Sequence, residues 1–304
     1  MDSHIDNAKL TLKKNGKSFY WAGKFLSEEY INRAAELYSF CRALDDIADS
    51  GDPSSLKCLN DIKLNLNNNS YLGIENIYSV KYPKFFNPFS KKAAVDLIDG
   101  LILDQDSILF KNESELIRYS YHVAGTVGLM MCDALKCENE NAKLFAIDLG
   151  IAMQLTNIAR DVLEDAKMGR RYLPSCWIDN ISPEEIVLAV EKNDKKKYDK
   201  ISQGIKKLLI LADKYYISGT MGFRFLSFKT RMAISIASGV YRQIGVQLKS
   251  NNYNWYNGRQ VTSTSTKVKI TLIKIMEEVF KRKVIKDHQS ELHKFVKELI
   301  KVEK

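Results

Sequence analysis

Apolar residues recur at spacings of three and four along nearly the whole chain, which commits it to helix. Strict alternation over the length of a strand is scarce. Five prolines and fifteen glycines in 304 residues leave few positions that interrupt a helix. The pattern predicts long helices over about 27–48, 90–109, 113–135, 141–166, 196–218 and 228–249, and a shorter one near 286–302. Turn residues gather at 50–53, 67–70, 82–88 and 169–174, where breaks are expected. The lysine run at 191–200 reads as a solvated junction, and the Asn-, Ser- and Thr-rich 251–266, carrying Trp255 and Tyr256, as a loop. No linker and no internal repeat divides the chain, so residues 1–304 are expected to form one all-α domain, a helix bundle.

Within that frame Tyr38-Ser-Phe-Cys-Arg42-Ala-Leu-Asp45-Asp46-Ile-Ala-Asp49 carries an unusual face. At about 100° per residue Tyr38, Arg42, Asp45 and Asp49 share one sector, while Phe40, Leu44 and Ile47 lie elsewhere. Carboxylates four residues apart, with Asp46 beside them, repel one another and disfavour the helix unless a positive charge sits between them. A second stripe, Gln154, Asn157, Asp161 and Asp165, runs beside the apolar Leu155, Ile158 and Val162, with Arg160 adjoining. Carboxylate and carboxamide oxygens at this spacing suit a hard cation, magnesium or manganese in its place, completed by a substrate phosphate. The Glu-x-x-His pairs of a di-iron bundle are absent. One such stripe is equally well a solvated acidic face. Two of them, each backed by an apolar stripe and followed by Gly169-Arg170-Arg171-Tyr172, point to a polyphosphate site.

A diphosphate held there becomes a good leaving group, because cations stabilise the charge that grows as the carbon–oxygen bond breaks. The carbocation left behind needs a dry pocket. Phe19, Tyr20, Phe40, Tyr119, Met130 and Met131 are candidates to line it, since ring faces attract cations and exclude water.

Composition fits this reading. A hydrophobic fraction of 45% supports a sizeable core. No apolar run is long enough to span a bilayer, and the first ten residues lack a signal-peptide pattern, so a cytoplasmic location is expected. Five cysteines without a CxxC pair and four scattered histidines indicate neither a disulfide framework nor a zinc site. The net charge of +9 suits nucleic acid, an anionic membrane face or small polyanions. The cations are spread along the chain and no nucleic-acid motif accompanies them, so nucleic acid is not an expected partner. A non-catalytic basic helical module is the remaining alternative of a different class.

The same residues resemble the phytoene and squalene synthase family along most of the chain. The resemblance is carried by Ser18-Phe19, Tyr38-x-x-x-Arg42-x-x-Asp45-Asp46-x-x-Asp49 and Val123-Ala-Gly-Thr-Val-Gly128. It continues through Gln154-Leu-Thr-Asn-Ile-Ala-Arg-Asp161-Val-x-Glu-Asp165, Tyr172-Leu-Pro174, Tyr241-Arg-Gln-Ile-Gly245 and Arg259-Gln-Val-Thr-Ser. It implies an isoprenoid synthase-type bundle with a central active-site cavity. Asp45, Asp49, Asn157, Asp161 and Asp165 match the family's metal positions. Arg42, Arg160, Arg170, Tyr241 and Arg259 match positions that hold or help release diphosphate, and Ser18, Phe19, Tyr38 and Gln154 match substrate-binding positions. Arg42, Asp45, Asp49, Asp161, Asp165 and Tyr241 form the implied catalytic set.

In such enzymes two prenyl diphosphates couple through a cyclopropylcarbinyl diphosphate, which ionises and rearranges. Proton loss ends the reaction in phytoene or dehydrosqualene synthases, and hydride from NADPH ends it in squalene synthases. The 123–130 and 240–245 segments look like bacterial phytoene synthases, which implies geranylgeranyl diphosphate as substrate, no NADPH and a role in carotenoid biosynthesis. A C30 enzyme using farnesyl diphosphate is the alternative. The stretch 101–110 departs from the family's methionine-rich pattern while keeping Asp104, and is expected to alter the deep pocket. Long-chain substrates, together with the lysines between 267 and 304, imply loose peripheral contact with an anionic membrane.

Overall fold

The computed structural model describes residues 3–105, 108–280 and 287–300. Fourteen α-helices succeed one another in these residues, and the only β-pairing among them is an isolated bridge between Leu109 and Arg171. They are α1 (Ser3–Asn15), α2 (Lys17–Gly23), α3 (Glu28–Ala48), α4 (Ser55–Asn67), α5 (Tyr71–Tyr78), α6 (Pro88–Leu103) and α7 (Glu113–Ser120). There follow α8 (Thr126–Ala134), α9 (Glu140–Arg160), α10 (Val162–Lys167), α11 (Pro183–Glu191), α12 (Lys195–Met221), α13 (Phe228–Ser250) and α14 (Thr264–Phe280). Helix α9 runs through the middle, against α12, α8 and α13. Its apolar residues Phe145, Ile147, Ile151, Leu155 and Ile158 are all buried.

The predicted 113–135 helix is interrupted by a π-turn at Tyr121–Gly125. There α8 and α9 approach backbone to backbone: a Cβ on Gly128 would strike the carbonyl of Ala146, and one on Gly150 that of Ala124. This crossing is the physical content of the Val123–Gly128 motif. The predicted 90–109 helix stops at Leu103. Beyond it the backbone pairs with the segment after α10, Arg171 N–H donating to Ile108 C=O at 2.7 Å and Ser175 N–H to Phe110 C=O at 2.9 Å. Asp106 and Ser107 lie outside the described residues.

The predicted terminal helix near 286–302 does not form over its described part, which holds only a short 3₁₀ turn at Ser290–His293. The body takes its carbonyls instead: Tyr215 hydroxyl donates to Leu292 C=O at 2.7 Å, and Arg118 to Phe295 C=O at 3.2 Å. Asp148 of α9, wholly buried, anchors the segment by accepting from His288 Nε2 at 2.9 Å, His293 Nε2 at 2.7 Å and Ser218 Oγ at 2.5 Å. Burial pushes the Asp148 carboxyl upward, but the two imidazoles outweigh it and hold the group below the usual carboxylate range. Asp148→Ala strands two imidazoles, and is expected to cost about 2–3 kcal/mol and lower the thermal midpoint by roughly 5 °C. Hydrogen exchange over 287–300 checks the cause, since protection there should fall first.

Candidate active site

Two adjoining cavities open among these helices. One, about 360 Å³, is apolar and is walled by α2, α3, α8, α9 and α13, with Phe19, Tyr38, Val127, Met131, Leu149, Met153, Phe223 and Tyr241 among its lining. The other, about 320 Å³, is polar and holds Asp45, Asp49, Asp104, Arg160, Asp161, Asp165, Arg170 and Tyr172. Asp45, Val123, Gln154 and Asn157 line both, so the polar chamber is the mouth of the apolar one.

The two acidic stripes therefore meet as their periodicity predicts. Asp45 and Asp49 come from the C-terminal end of α3, and Gln154 and Asn157 from the last turns of α9. The predicted 141–166 helix breaks at Asp161, yet Asp161 and Asp165 stay on the same chamber. Arg160 donates to Asp161 through Nε at 2.7 Å and Nη2 at 2.5 Å, and Arg259 Nε lies 2.9 Å from the same carboxylate. Arg170 crosses to Asp49 at 3.2 Å, linking the loop after α10 to α3.

Other expected residues lie differently. Arg42 pairs with Asp46 at 2.5 Å and lines neither cavity. Ser18 is half-buried on α2 and lines neither cavity, whereas its neighbour Phe19 stacks on Tyr241 with centroids 5.0 Å apart inside the apolar one. Burial pushes the Tyr38 phenol up to about 12. Of the aromatic and Met candidates, Phe19 and Met131 line the apolar cavity. Phe40 is core against Tyr82 and Phe86, Met130 is fully buried core, and Tyr20 packs with α1.

Tyr119 belongs to the polar mouth, where it donates to Asp104 at 2.7 Å, joined by Tyr172 at 3.2 Å with the two rings stacked. The 101–110 departure thus shapes the mouth, through Leu101 and Asp104, and none of its described residues lines the apolar cavity. Tyr119 and Tyr172 were not readable as Asp104 partners, because 15 and 68 residues separate them from it in the chain.

Three carboxyls in the mouth carry strained charge. Burial, outweighing the attraction of Arg42 and helped by Asp49, pushes Asp45 up to about 7. Burial and then the neighbouring Asp161 push Asp165 up to about 8. Burial raises Asp104 to about 6 against its hydrogen bond from Tyr119. Asn157 Oδ1 is buried and accepts no hydrogen bond, while its amide donates to Gln154 Oε1 at 3.2 Å. Crowded, incompletely neutralised carboxyls beside an orphaned amide oxygen fit a hard divalent cation.

An all-helical wall around a long apolar cavity, with facing carboxylates and arginines at its mouth, defines an isoprenoid synthase-type fold with a diphosphate-sized polar entrance. Residues 12–273 match the family model described as squalene/phytoene synthase. The chain is 31% identical over 289 residues to a 15-cis-phytoene synthase of Pantoea ananas, covering 89% of this chain and 90% of that protein. It is 30% identical over 279 residues to a phytoene synthase of Pseudescherichia vulneris, covering 87% and 88%. A crystal structure of a dehydrosqualene synthase in complex with ligand superposes with a TM-score of 0.78 at 26% identity, covering 90% of this chain and 96% of that one. A squalene synthase from Alicyclobacillus acidocaldarius, at 15% identity and a TM-score of 0.68, shares the fold. The chain belongs to the squalene/phytoene synthase family. It is accordingly a prenyltransferase acting on prenyl diphosphates, in a family that generally uses divalent metal.

Proposed function

We propose that this enzyme condenses two geranylgeranyl diphosphates head to head into phytoene, through a cyclopropylcarbinyl diphosphate, as a step of carotenoid biosynthesis that needs magnesium and no NADPH. The observation that carries the chain length is the depth of the apolar cavity. Its lining follows one face of α9 from Asn157 through Gln154, Gly150 and Ala146 to Ala142, fifteen residue steps, or about 22 Å of helix. An extended geranylgeranyl chain, at about 1.25 Å per main-chain carbon, is roughly 20 Å long, and a farnesyl chain roughly 15 Å. The phytoene synthase relatives support the same product.

Asp45, Asp49, Asn157, Asp161 and Asp165 are the residues that would hold magnesium, which when bound offsets the diphosphate charge and makes it a better leaving group. Arg170, which lines the mouth and pairs with Asp49, and Arg259, which pairs with Asp161 at its edge, would take over the departing diphosphate's charge. Arg160 holds Asp161 in orientation. Phe19, Tyr38 and Tyr241 border the place where the allylic cation forms, with ring faces that favour it and exclude water. In this reading Asp104, which accepts from Tyr119 and Tyr172 in the mouth, receives the proton lost in the final step. The whole 304-residue chain acts as one catalytic unit in this reading.

Blocking the cavity part-way tests it. Ala146 lies eleven residues before Asn157, about 16 Å along α9. Ala146→Leu is expected to cut kcat/KM for geranylgeranyl diphosphate by about 10-fold or more while sparing or raising that for farnesyl diphosphate. Equal losses with both donors would count against the cavity as the ruler of chain length.

The raised carboxyls give a pH prediction. A folded pKa above the ordinary one favours the protonated group, so its contribution is fully present below about pH 4 and is lost as pH rises through about 7 to 8. The metal-free protein is therefore expected to lose thermal stability between about pH 5 and pH 8, and magnesium to raise the midpoint more at pH 8 than at pH 5. Scanning calorimetry with and without magnesium decides; no magnesium effect at the higher pH would contradict the metal assignment.

A further inference from the structure

The outer face of α14 is apolar where a surface helix should be polar. Val268, Leu272, Ile273, Met276, Val279 and Phe280 are all exposed, Met276 at 60% and Phe280 at 78%. Their spacing places them within one broad sector, with Lys269 the one charged side chain among them. The opposite side is conventional: Ile270 is buried against Ala22, Met232 and Ile236, and Glu278 pairs with Arg231 at 2.8 Å. Phe228 at the start of α13, 53% exposed and beneath the Arg231 guanidinium, extends the patch at its C-terminal end. A contiguous apolar face of this kind on a folded chain marks an interaction surface.

Its surroundings specify the partner. Lys17 on α2, Lys24 just beyond its end, and Lys267 and Lys269 in the first turns of α14 are in no ion pair among the described residues. Lys17 stands close enough to Lys267 to repel it. Trp21 ties the two helices by donating to Thr271 Oγ1 at 3.0 Å, and Lys24 Nζ lies 5.2 Å from its ring centroid. An exposed apolar stripe with unpaired lysines at one end is the chemistry of an amphipathic helix lying in a membrane interface, the lysines meeting anionic headgroups. Two copies of this face would bring like charges together, which disfavours a second chain as the occupant.

The position also suits. Helices α2 and α13, on which α14 rests, present Phe19, Ala22, Gly23, Ala233, Ala237 and Tyr241 to the apolar cavity. One layer of helices, α2 and α13, thus separates α14 from the space proposed for the prenyl chains.

We propose that the outer face of α14, with Phe228, docks the enzyme in the interfacial layer of an anionic membrane, so that long-chain substrate and product pass between the bilayer and the apolar cavity. The proposal rests on the prenyl-chain reading of that cavity, but vesicle binding is read without turnover. Flotation of the full chain with vesicles of equimolar phosphatidylglycerol and phosphatidylcholine is compared with vesicles of phosphatidylcholine alone. Binding is expected to favour the anionic vesicles and to weaken as salt is raised. The double variant Leu272→Asp with Met276→Asp should lose about 10-fold or more in partitioning, since each buried side chain contributes enough for such a factor. Lys267→Glu with Lys269→Glu should remove the preference for the anionic vesicles. All four side chains lie outside the core cluster around the site, so circular dichroism melts and turnover of detergent-dispersed substrate should match the parent. A tryptophan placed by Met276→Trp should be quenched by brominated lipid. Absence of vesicle binding, binding untouched by both double variants, or a dimer in light scattering that the apolar double variant dissolves would each overturn the proposal.

Discussion

Asp45→Asn and Asp161→Ala are expected both to stop turnover, by at least about 1000-fold, but to differ in what they do to the fold. Asp45 sits half-buried among Asp46, Asp49 and Asp104, and its carboxyl is pushed up to about 7 by burial. A neutral amide of the same shape removes that repulsion, so the metal-free variant should melt no lower than the parent at about pH 8. Asp161 is the acceptor for both Nε and Nη2 of Arg160, whose side chain is only 12% exposed, and it also pairs with Arg259. Its loss leaves a nearly buried guanidinium without its carboxylate, at a cost of about 2 kcal/mol and a fall in thermal midpoint of roughly 4 °C. Relief of repulsion thus decides the outcome at Asp45, and at Asp161 two arginines reverse it. Thermal melts of both variants, with product assays beside them, check this; wild-type turnover by either would remove that residue from the site.

The second large effect is expected at the crossing of α8 and α9. Gly150→Ala drives a methyl into the Ala124 carbonyl, a backbone atom that cannot rotate away, so the helices must separate. Overpacking of this kind costs about 3 kcal/mol, or roughly 6 °C in midpoint, and Gly150→Val should give little folded protein. Because Gly150 also lines the apolar cavity, Gly150→Ala should lower activity towards the longer donor as well. A midpoint within about 1 °C of the parent would mean that the helices do not touch there.

Much of this enzyme is legible in its sequence because its fold is helical and its chemistry lies on helix faces. The 3.6-residue period places Asp45, Asp49, Asn157, Asp161 and Asp165 on stripes, and the structure brings those stripes to one chamber. What the period cannot report is contact between distant segments. The Tyr119 and Tyr172 grip on Asp104, and the Asp148 anchor for His288 and His293, join positions that no local pattern relates. Arg42 shares the α3 sector with Asp45 yet closes on Asp46, because an i,i+4 pair is within easy reach of its long side chain. Segment 287–300 resists helix because side chains of α7 and α12 take its carbonyls. Helix α14 escapes a reading that expects apolar residues to face inward, since most of its apolar residues face out.

The most direct measurement is the mass of the hydrocarbon formed from geranylgeranyl diphosphate and magnesium by the purified protein, with NADPH left out. The account predicts a C40 product of phytoene mass, formed without NADPH and lost when magnesium is chelated. A C30 hydrocarbon made only from farnesyl diphosphate, a product that requires NADPH, or release of diphosphate with no coupled hydrocarbon would contradict it.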